Sequence, residues 1–295
     1  MMQKHMLILG CGFSGQAIRK AALAQGIGVT ATKQNPILPD YQPLHLDENH
    51  KKDEAFMRNL LRNQDILVMS IAPEKGGDML LNLYQDCLLE WLEQKNRLIF
   101  YLSTTGVYGN HDGAWVDESS PTTPTMHRTR QRLAAEQAWQ ALLHQQKGNF
   151  LYILRLGGIY GMGRNAIENM IKGRTRRIYK QGQYFSRIHV EDIANALLTM
   201  MAKPSPQGAW LNIYNLVDDE PSPPQSVMDY AASLLQMELP PMLDFDKAEL
   251  SSMQRSFYMD NKRVSNQKIK RDFDYEFLYP HYRVALDEIH KHLKP

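Results

Sequence analysis

The chain has 295 residues, of which 43% are hydrophobic and 22% charged, and its formal net charge is +2. This composition is that of an ordinary globular protein. Two cysteines are too few for a disulfide framework, and no stretch approaches the ~20 apolar residues of a membrane span. The apolar run at the start stops at Gly10, which is too short for a signal peptide. We therefore expect a cytoplasmic protein with no metal and with no nucleic-acid or membrane partner.

Strand-like and helix-like segments alternate over about two thirds of the chain. Apolar runs predict strands at "HMLIL", "IGVTAT", "DILVMSIAP", "RLIFYLSTTGVYG", "FLYILRLGGIYG" and "AWLNIYNLV". Helical spacing of apolar residues predicts helices at "QAIRKAALAQG", "MLLNLYQDCLLEWLEQKN", "TRQRLAAEQAWQALLHQ" and "HVEDIANALLTMMA". This alternation predicts an α/β fold, a doubly wound Rossmann-type parallel sheet with a smaller C-terminal lobe on the substrate side.

The character of the sequence changes after Val217. "DDEPSPPQ" is typical of a linker, and "SVMDYAASLLQMELPPMLDF" predicts helix and loop without strong strands. We predict an NAD(P)-binding domain over residues 1–218 and a smaller lobe over 219–295, to which 162–186 contributes. The lobe would close over the substrate, because ligands of such sheets lie outside the carboxyl ends of the strands. The chain end, "YPHYRVALDEIHKHLKP", predicts an edge helix.

The stretch "LILGCGFSGQAI" carries the first motif with chemical meaning. Gly10, Gly12 and Gly15 form G-x-G-x-x-G between a predicted strand and a predicted helix. In that setting the glycines permit a tight turn, the approach of a pyrophosphate, and close packing of helix on strand. Phe13 and Ser14 lie in the same turn, where a helix N-terminus would meet the phosphate charge. The alternative is an ordinary glycine turn.

The end of the second strand bears on the choice between NAD and NADP. An acidic residue there would bind the adenosine ribose and favour NAD, but "VTATKQNP" has no acid before Asp40. Thr32 and Lys33 instead offer a hydroxyl and a positive charge that suit a 2′-phosphate. We therefore expect NADP or NAD as the cofactor, with NADP favoured. The alternative is a solvated lysine at a strand end.

Several motifs in one order then identify a family. "YLSTTGVYG", "WVDESSPTTP", "LRLGGIYGMGR" and "SRIHVEDIANAL" lie at spacings that resemble the extended, epimerase- and dehydratase-like branch of the short-chain dehydrogenase/reductase superfamily. The resemblance covers residue 6 to about residue 217. Within that branch the chain is similar to the atypical, YeeZ-like oxidoreductases. The resemblance implies an NAD(P)-binding oxidoreductase with a small-molecule substrate.

The resemblance also implies roles for individual residues. It places Thr104 where family members hold a hydroxyl that hydrogen-bonds the reacting oxygen, with Ser103 beside it. His189 and Asp192 of "HVEDIA" would have structural roles. Further residues implied in cofactor binding are Ser70, Ile71 and Ala72 at a strand end, and Leu156, Gly157 and Gly158 after "ILR".

The family's catalytic Tyr-x-x-x-Lys pair is missing. With Glu136 as the anchor of the register, Arg128 takes the tyrosine position and Arg132 the lysine position. Arginine stays protonated and cannot replace the tyrosine as a proton donor. One interpretation is an anion clamp in which both arginines, four residues apart on one helix face, bind the cofactor or an acidic substrate. The other is a solvated helix with an Arg132–Glu136 pair. Arg164 and the run "KGRTRRIYKQGQ" add cations near the expected cleft.

Three functional hypotheses follow. The first is an NADP-linked oxidoreductase or epimerase-like enzyme, in which Tyr108 or Tyr160 assists Thr104 as a substitute acid. Its substrate would be a nucleotide sugar or another anionic metabolite. The second is a cofactor-binding sensor or regulator without turnover. The third, a structural protein that binds no nucleotide, is disfavoured by the intact glycine motif. A homodimer is compatible with each hypothesis.

Overall fold

The computed structural model describes residues 3–46, 53–203 and 208–293. Seven parallel strands form its central sheet: β1 (His5–Leu9), β2 (Gly28–Lys33), β3 (Gln42–Pro43), β4 (Ile66–Met69), β5 (Leu98–Thr104), β7 (Phe150–Leu156) and β11 (Leu211–Leu216). Their spatial order is β11-β7-β5-β4-β1-β2-β3. This order confirms the predicted doubly wound Rossmann-type fold. The order reverses between β1 and β4, where such sheets open a crevice for ligands.

Six short strands pair outside the central sheet. They are β6 (Trp115–Val116), β8 (Gly158–Tyr160), β9 (Arg177–Tyr179), β10 (Arg187–His189), β12 (Met242–Asp244) and β13 (Arg263–Val264). They form three parallel pairs, β10 with β8, β12 with β9, and β13 with β6. A 3-10 turn over Thr105–Tyr108 follows β5.

Ten helices complete the described part of the chain. They are α1 (Phe13–Ala24), α2 (Glu54–Leu61), α3 (Met79–Leu92), α4 (His127–His144), α5 (Ala166–Ile171), α6 (Val190–Ala202), α7 (Pro224–Leu235), α8 (Ser252–Phe257), α9 (Gln267–Phe273) and α10 (Tyr282–Leu293). The four helices predicted between the strands are α1, α3, α4 and α6. The sequence analysis did not predict α2. No helix in the described ranges is long and apolar enough to cross a membrane.

Both faces of the sheet are covered by helices. Successive residues of β1 show why its sequence is continuously apolar. Ile8 packs with α1 and α6 on one face, and Leu7 packs with α3 and α4 on the other. Neither side chain is exposed to solvent. A strand buried on both faces cannot alternate polar and apolar residues, so each apolar run in the sequence became a strand of this sheet.

A second apolar core lies beyond the carboxyl ends of the strands. Tyr160 and Ile167 pack there with residues of α7 and α10, including Ala231 and Leu286. The helix predicted at the chain end is α10, which buries its apolar face in this core. Residues of 162–186 and of the C-terminal region therefore share one core, and the boundary at residue 218 remains a prediction.

Candidate cofactor and active site

The glycine turn after β1 has the shape that the motif predicts. Gly10 has a φ of +82°, and a Cβ at this residue would lie 2.5 Å from the Ile71 side chain. A Cβ at Gly15 would lie 3.2 Å from the carbonyl oxygen of Gly10. At Gly12 the nearest heavy atom would be 4.0 Å away. Gly10 is therefore required by the fold and Gly15 is tightly packed, whereas Gly12 keeps a space open above the turn.

The start of α1 faces that open space. Gly12 caps the helix without any side-chain hydrogen bond. The first N–H groups of a helix have no partner within the helix, so they remain available to an anion here. The guanidinium of Arg164 lies 5.8 Å from the Phe13 ring, at the first residue of α1. The turn, the helix end and the cation together fit the pyrophosphate of a dinucleotide.

Thr32 has a different role from the predicted one. Its side chain is fully buried, and its hydroxyl oxygen accepts a hydrogen bond of 3.1 Å from the Gly10 N–H. The backbone carbonyl of Thr32 also accepts from the Cys11 N–H at 2.7 Å. A buried hydroxyl cannot reach a 2′-phosphate, which contradicts the prediction for Thr32. Thr32 instead fixes the glycine turn to the end of β2.

Two cations converge at the end of β2. The Lys33 ammonium lies 4.1 Å from the centre of the Tyr41 ring, and the Arg19 guanidinium lies 5.2 Å from it. Arg19 forms an ion pair of 3.3 Å with Asp40, and its Nε is buried and has no hydrogen-bond partner among the described residues. Lys33 therefore does not stand alone as a solvated strand-end lysine, because Arg19 from α1 adds a second positive charge beside it.

The hydroxyls at the end of β5 divide between two environments. Thr104 is half-buried, and its oxygen accepts from the Gly106 N–H at 3.1 Å, which leaves its proton free to be donated. Ser103 is buried and donates to Glu136 at 2.5 Å. The expectation that Ser103 contacts the cofactor is therefore contradicted. Thr104 remains the candidate hydroxyl for a substrate oxygen.

Glu136 lies in the interior and pairs with Arg155. The Arg155 Nη2 is 2.8 Å from Oε2 of Glu136, and the side chains are 5% and 0% exposed. This geometry overturns the alternative of an Arg132–Glu136 surface pair. The desolvation of both charges is offset by the bidentate contact and by the Ser103 hydrogen bond.

Arg128 and Arg132 do not act as one clamp in this structure. Arg132 is half-buried and donates to the Leu102 carbonyl at 2.9 Å, beneath the end of β5. Arg128 is exposed, and its guanidinium lies 4.4 Å from the Phe257 ring of α8. The i, i+4 spacing places both residues on one helix face, but the long side chains take different directions.

The two tyrosines considered as substitute acids differ in placement. The Tyr108 hydroxyl is fully buried and donates to Asn215 at 2.8 Å, which contradicts its assignment as a proton donor to substrate. Tyr160 packs edge-on against His189 at a ring separation of 5.4 Å. Its hydroxyl is buried and has no hydrogen-bond partner within the described ranges. Burial raises the pKa of both phenols, so both stay protonated.

The other residues expected to line the cofactor lie at the carboxyl ends of β4 and β7. Ile71 packs against Gly10, between half-buried Ser70 and exposed Ala72. At the end of β7, Leu156 and Gly157 are buried, whereas Gly158 is exposed. Asp192 accepts from the N–H groups of Leu278 and Tyr279 and from the Tyr275 hydroxyl, in agreement with a structural role.

Comparison with known proteins gives the family directly. The model of the NAD dependent epimerase/dehydratase family matches residues 6–216. The chain belongs to this family. It is therefore a member of the NAD(P)-binding oxidoreductase superfamily, as the sequence motifs predicted. The YeeZ-like subgroup remains a prediction. None of the curated proteins that were compared matches the chain.

Solved structures agree with the fold. A conserved protein of unknown function from Silicibacter pomeroyi is 41% identical, with a TM-score of 0.85 over 99% of this chain and 100% of its own. The NAD complex of dTDP-glucose 4,6-dehydratase from Bacillus anthracis is 16% identical, with a TM-score of 0.75 over 98% and 96%. A human epimerase family protein with NADPH is 17% identical, with a TM-score of 0.71 over 98% and 100%.

The sequence analysis missed a residue of this site. Arg19 was missed because it lies within a helix and belongs to none of the motifs. Its position on α1 beside β2 was the available clue, since the helix that follows the glycine turn packs next to the second strand.

Proposed function

We propose that this protein binds NADP in preference to NAD and acts as an oxidoreductase on an anionic small molecule. The observation that supports the NADP preference is the pair of cations, Lys33 and Arg19, beside the ring of Tyr41. In this fold the residues at the end of the second strand lie beside the adenosine ribose. A 2′-phosphate there would replace the Asp40 carboxylate as the partner of Arg19.

The phosphates that join the two nucleotides would be held by backbone rather than by side chains. The open space at Gly12 and the uncapped start of α1 supply N–H donors. Arg164 supplies a positive charge at the same end of the helix. These groups do not distinguish NADP from NAD, since both cofactors carry the pyrophosphate.

The chemistry would divide between the cofactor and the protein. When bound, the nicotinamide supplies or accepts the hydride. Thr104 would hydrogen-bond the reacting oxygen of the substrate through the proton that its own contact with Gly106 leaves free. General acids contribute about 10²–10⁴-fold to rates, so the loss of the family's tyrosine predicts a slow enzyme rather than an inert one.

A second candidate function is a cofactor-binding sensor without turnover. The observation in its favour is Arg128, which stands at the tyrosine position and contacts Phe257 and Ser256 of α8. The buried Tyr108 supplies no replacement. A sensor would need the cofactor site and this contact, but no proton donor.

One experiment separates the two candidates. The purified protein is incubated with NADPH and fractions of a small-metabolite extract, and the absorbance of the reduced nicotinamide is followed. We expect the parent protein to oxidise NADPH in the presence of an anionic fraction. Gly12→Val should fold but not bind the cofactor, so it should oxidise no NADPH. If NADPH binds tightly but none of the fractions causes its oxidation, the sensor is the better description.

A further inference from the structure

Arg187 is a half-buried cation close to the carboxyl end of β7. It lies on β10 and is paired in register with Gly158 on β8. Gly158 is exposed, and a Cβ there would lie 3.9 Å from Cγ of Arg187. The Arg187 side chain therefore lies beside the segment at the end of β7 that the resemblance assigns to cofactor binding.

The Arg187 guanidinium is anchored on one side only. Its Nη1 donates to the Phe185 carbonyl at 3.0 Å and to the Ser222 hydroxyl at 2.7 Å. Nε and Nη2 donate no hydrogen bond within the described ranges. The side chain is surrounded by protein, so desolvation lowers its pKa, yet part of it stays accessible. A cation that is fixed in place, poorly solvated and free on one edge is prepared to receive an anion.

Two buried polar groups lie beside Arg187, and neither has a hydrogen bond of good geometry within the described residues. Asp218 is 1% exposed, and the N–H groups of Glu220 and Arg187 approach its carboxyl group. The Asp218 N–H donates to the Arg187 carbonyl at 2.6 Å, which ties the two residues together. The Tyr160 hydroxyl is likewise buried and unpaired. Unpaired buried polar groups are costly, so their grouping beside one cation favours a binding site over simple packing.

The charge state of Asp218 supports the same conclusion. Burial raises its pKa to about 8, against the partial opposition of the Arg187 charge and of nearby N–H groups. At neutral pH the carboxyl group is therefore largely protonated. It leaves the positive charge of Arg187 uncompensated and can itself donate a hydrogen bond.

We propose that Arg187, with Tyr160 and Asp218 beside it, forms the site that binds the anionic group of the substrate. The ligand is a carboxylate or phosphate oxyanion carried by a small molecule. The proposal rests on the proposed function, because it orients a substrate toward the nicotinamide. Arg128 and Arg132, which the sequence suggested for this task, are engaged elsewhere.

The test uses the full chain saturated with NADP and two probes, inorganic phosphate and malonate, titrated by calorimetry. The proposal expects binding of at least one probe and a loss of affinity of roughly ten- to a hundredfold in Arg187→Gln. Arg174→Gln is the matched control, because Arg174 is an exposed arginine of the same region. It should keep the affinity of the parent within about twofold. Binding of neither probe, or equal affinities in Arg187→Gln and the parent, would overturn the proposal.

A measurement on the unmodified protein guards against misfolding of the variant. Phenylglyoxal labels accessible arginines, and peptide mass spectrometry reports labelling at Arg187 and Arg174. The bound probe should protect Arg187 and leave Arg174 unchanged. Equal labelling of Arg187 with and without the probe contradicts the site. The affinity of the parent for NADP separates the two proposals. If the parent fails to bind NADP, the proposed function fails. If NADP binds but the anion does not depend on Arg187, this inference alone fails.

Discussion

Arg155 and Glu136 form an ion pair inside the protein, with Nη2 2.8 Å from Oε2. The pair joins α4 to β7, and Ser103 on the intervening β5 donates to the same carboxylate. Thr104 is the next residue of the chain. The buried network therefore holds the end of β5, and with it the candidate substrate hydroxyl, in a fixed position relative to α4.

We expect the removal of one partner of this pair to destabilise the protein. Arg155→Met leaves the Glu136 carboxylate buried without its counter-charge, at a cost of about 3–5 kcal/mol in the free energy of unfolding. Urea denaturation measures that loss. The double variant Arg155→Met with Glu136→Leu should recover part of it, because no charge then remains buried. A single variant as stable as the parent would show that the pair does not hold the interior together.

Gly12→Val should abolish binding of both NADP and NAD without harming the fold. The Cβ at Gly12 has no neighbour closer than 4.0 Å, so the side chain enters open space rather than the core. That space is where the pyrophosphate would pass. Circular dichroism checks the fold, and calorimetry checks the binding. A folded variant with the parent's affinity would remove the glycine turn from the cofactor site. Gly10→Val is the contrasting variant, since it should fail to fold because of its positive φ and the contact with Ile71.

Arg164→Gln should weaken NADP and NAD to the same extent. Its guanidinium lies at the first residue of α1, and the pyrophosphate near that helix end is common to both cofactors. A lost charge-assisted contact to phosphate corresponds to about 1.5–3 kcal/mol, or roughly ten- to a hundredfold in affinity. Calorimetric titration with each cofactor gives the two ratios. Unchanged affinities would show that Arg164 is a solvated side chain.

The sequence predicted the fold better than the site. The continuously apolar strands and the glycine motif are local signals, and each corresponds to a strand or turn of the structure. The directions of long side chains are not local. The spacing of Arg128 and Arg132 correctly places them on one helix face, but contacts to Leu102 and Phe257 from distant segments decide where each guanidinium lies.

The predicted roles of two hydroxyl residues were wrong for a related reason. Thr32 lies near the end of β2 and Tyr108 in the 3-10 turn that follows β5, and the sequence gives no sign that both are buried. Their partners, Gly10 and Asn215, are far from them along the chain and become neighbours only when the parallel strands pair. Arg19 was missed in the same way, because a helix residue becomes part of the site only when α1 packs beside β2.

The free energy of unfolding should depend on pH through the titration of Asp218. Its pKa is raised to about 8 in the folded chain, from about 3.9 in an unfolded one. Between these values the folded state holds an additional proton, so the free energy of unfolding falls as pH rises. The charged or titratable groups that face Asp218 are Arg187, Asp219 and Tyr160.

Asp218→Asn removes the titrating carboxyl group, so the difference between variant and parent gives its contribution to the pH dependence. The variant should gain stability relative to the parent between pH 5.5 and pH 8.5, by up to about 1.4 kcal/mol per pH unit. Urea denaturation at the two pH values gives the difference. A constant offset between variant and parent would mean that Asp218 does not titrate in this range.

The most direct test of the proposed cofactor preference is to measure the affinities for NADP and for NAD. The proteins compared are the parent, Lys33→Ala and Arg19→Ala. Each variant removes one of the two cations beside Tyr41. We expect the parent to bind NADP at least about tenfold more tightly than NAD, because a charge-assisted contact to the 2′-phosphate contributes about 1.5–3 kcal/mol. Each variant should lose much of that preference and keep its affinity for NAD. A parent that binds NAD as tightly as NADP, or variants that lose both cofactors equally, would contradict it.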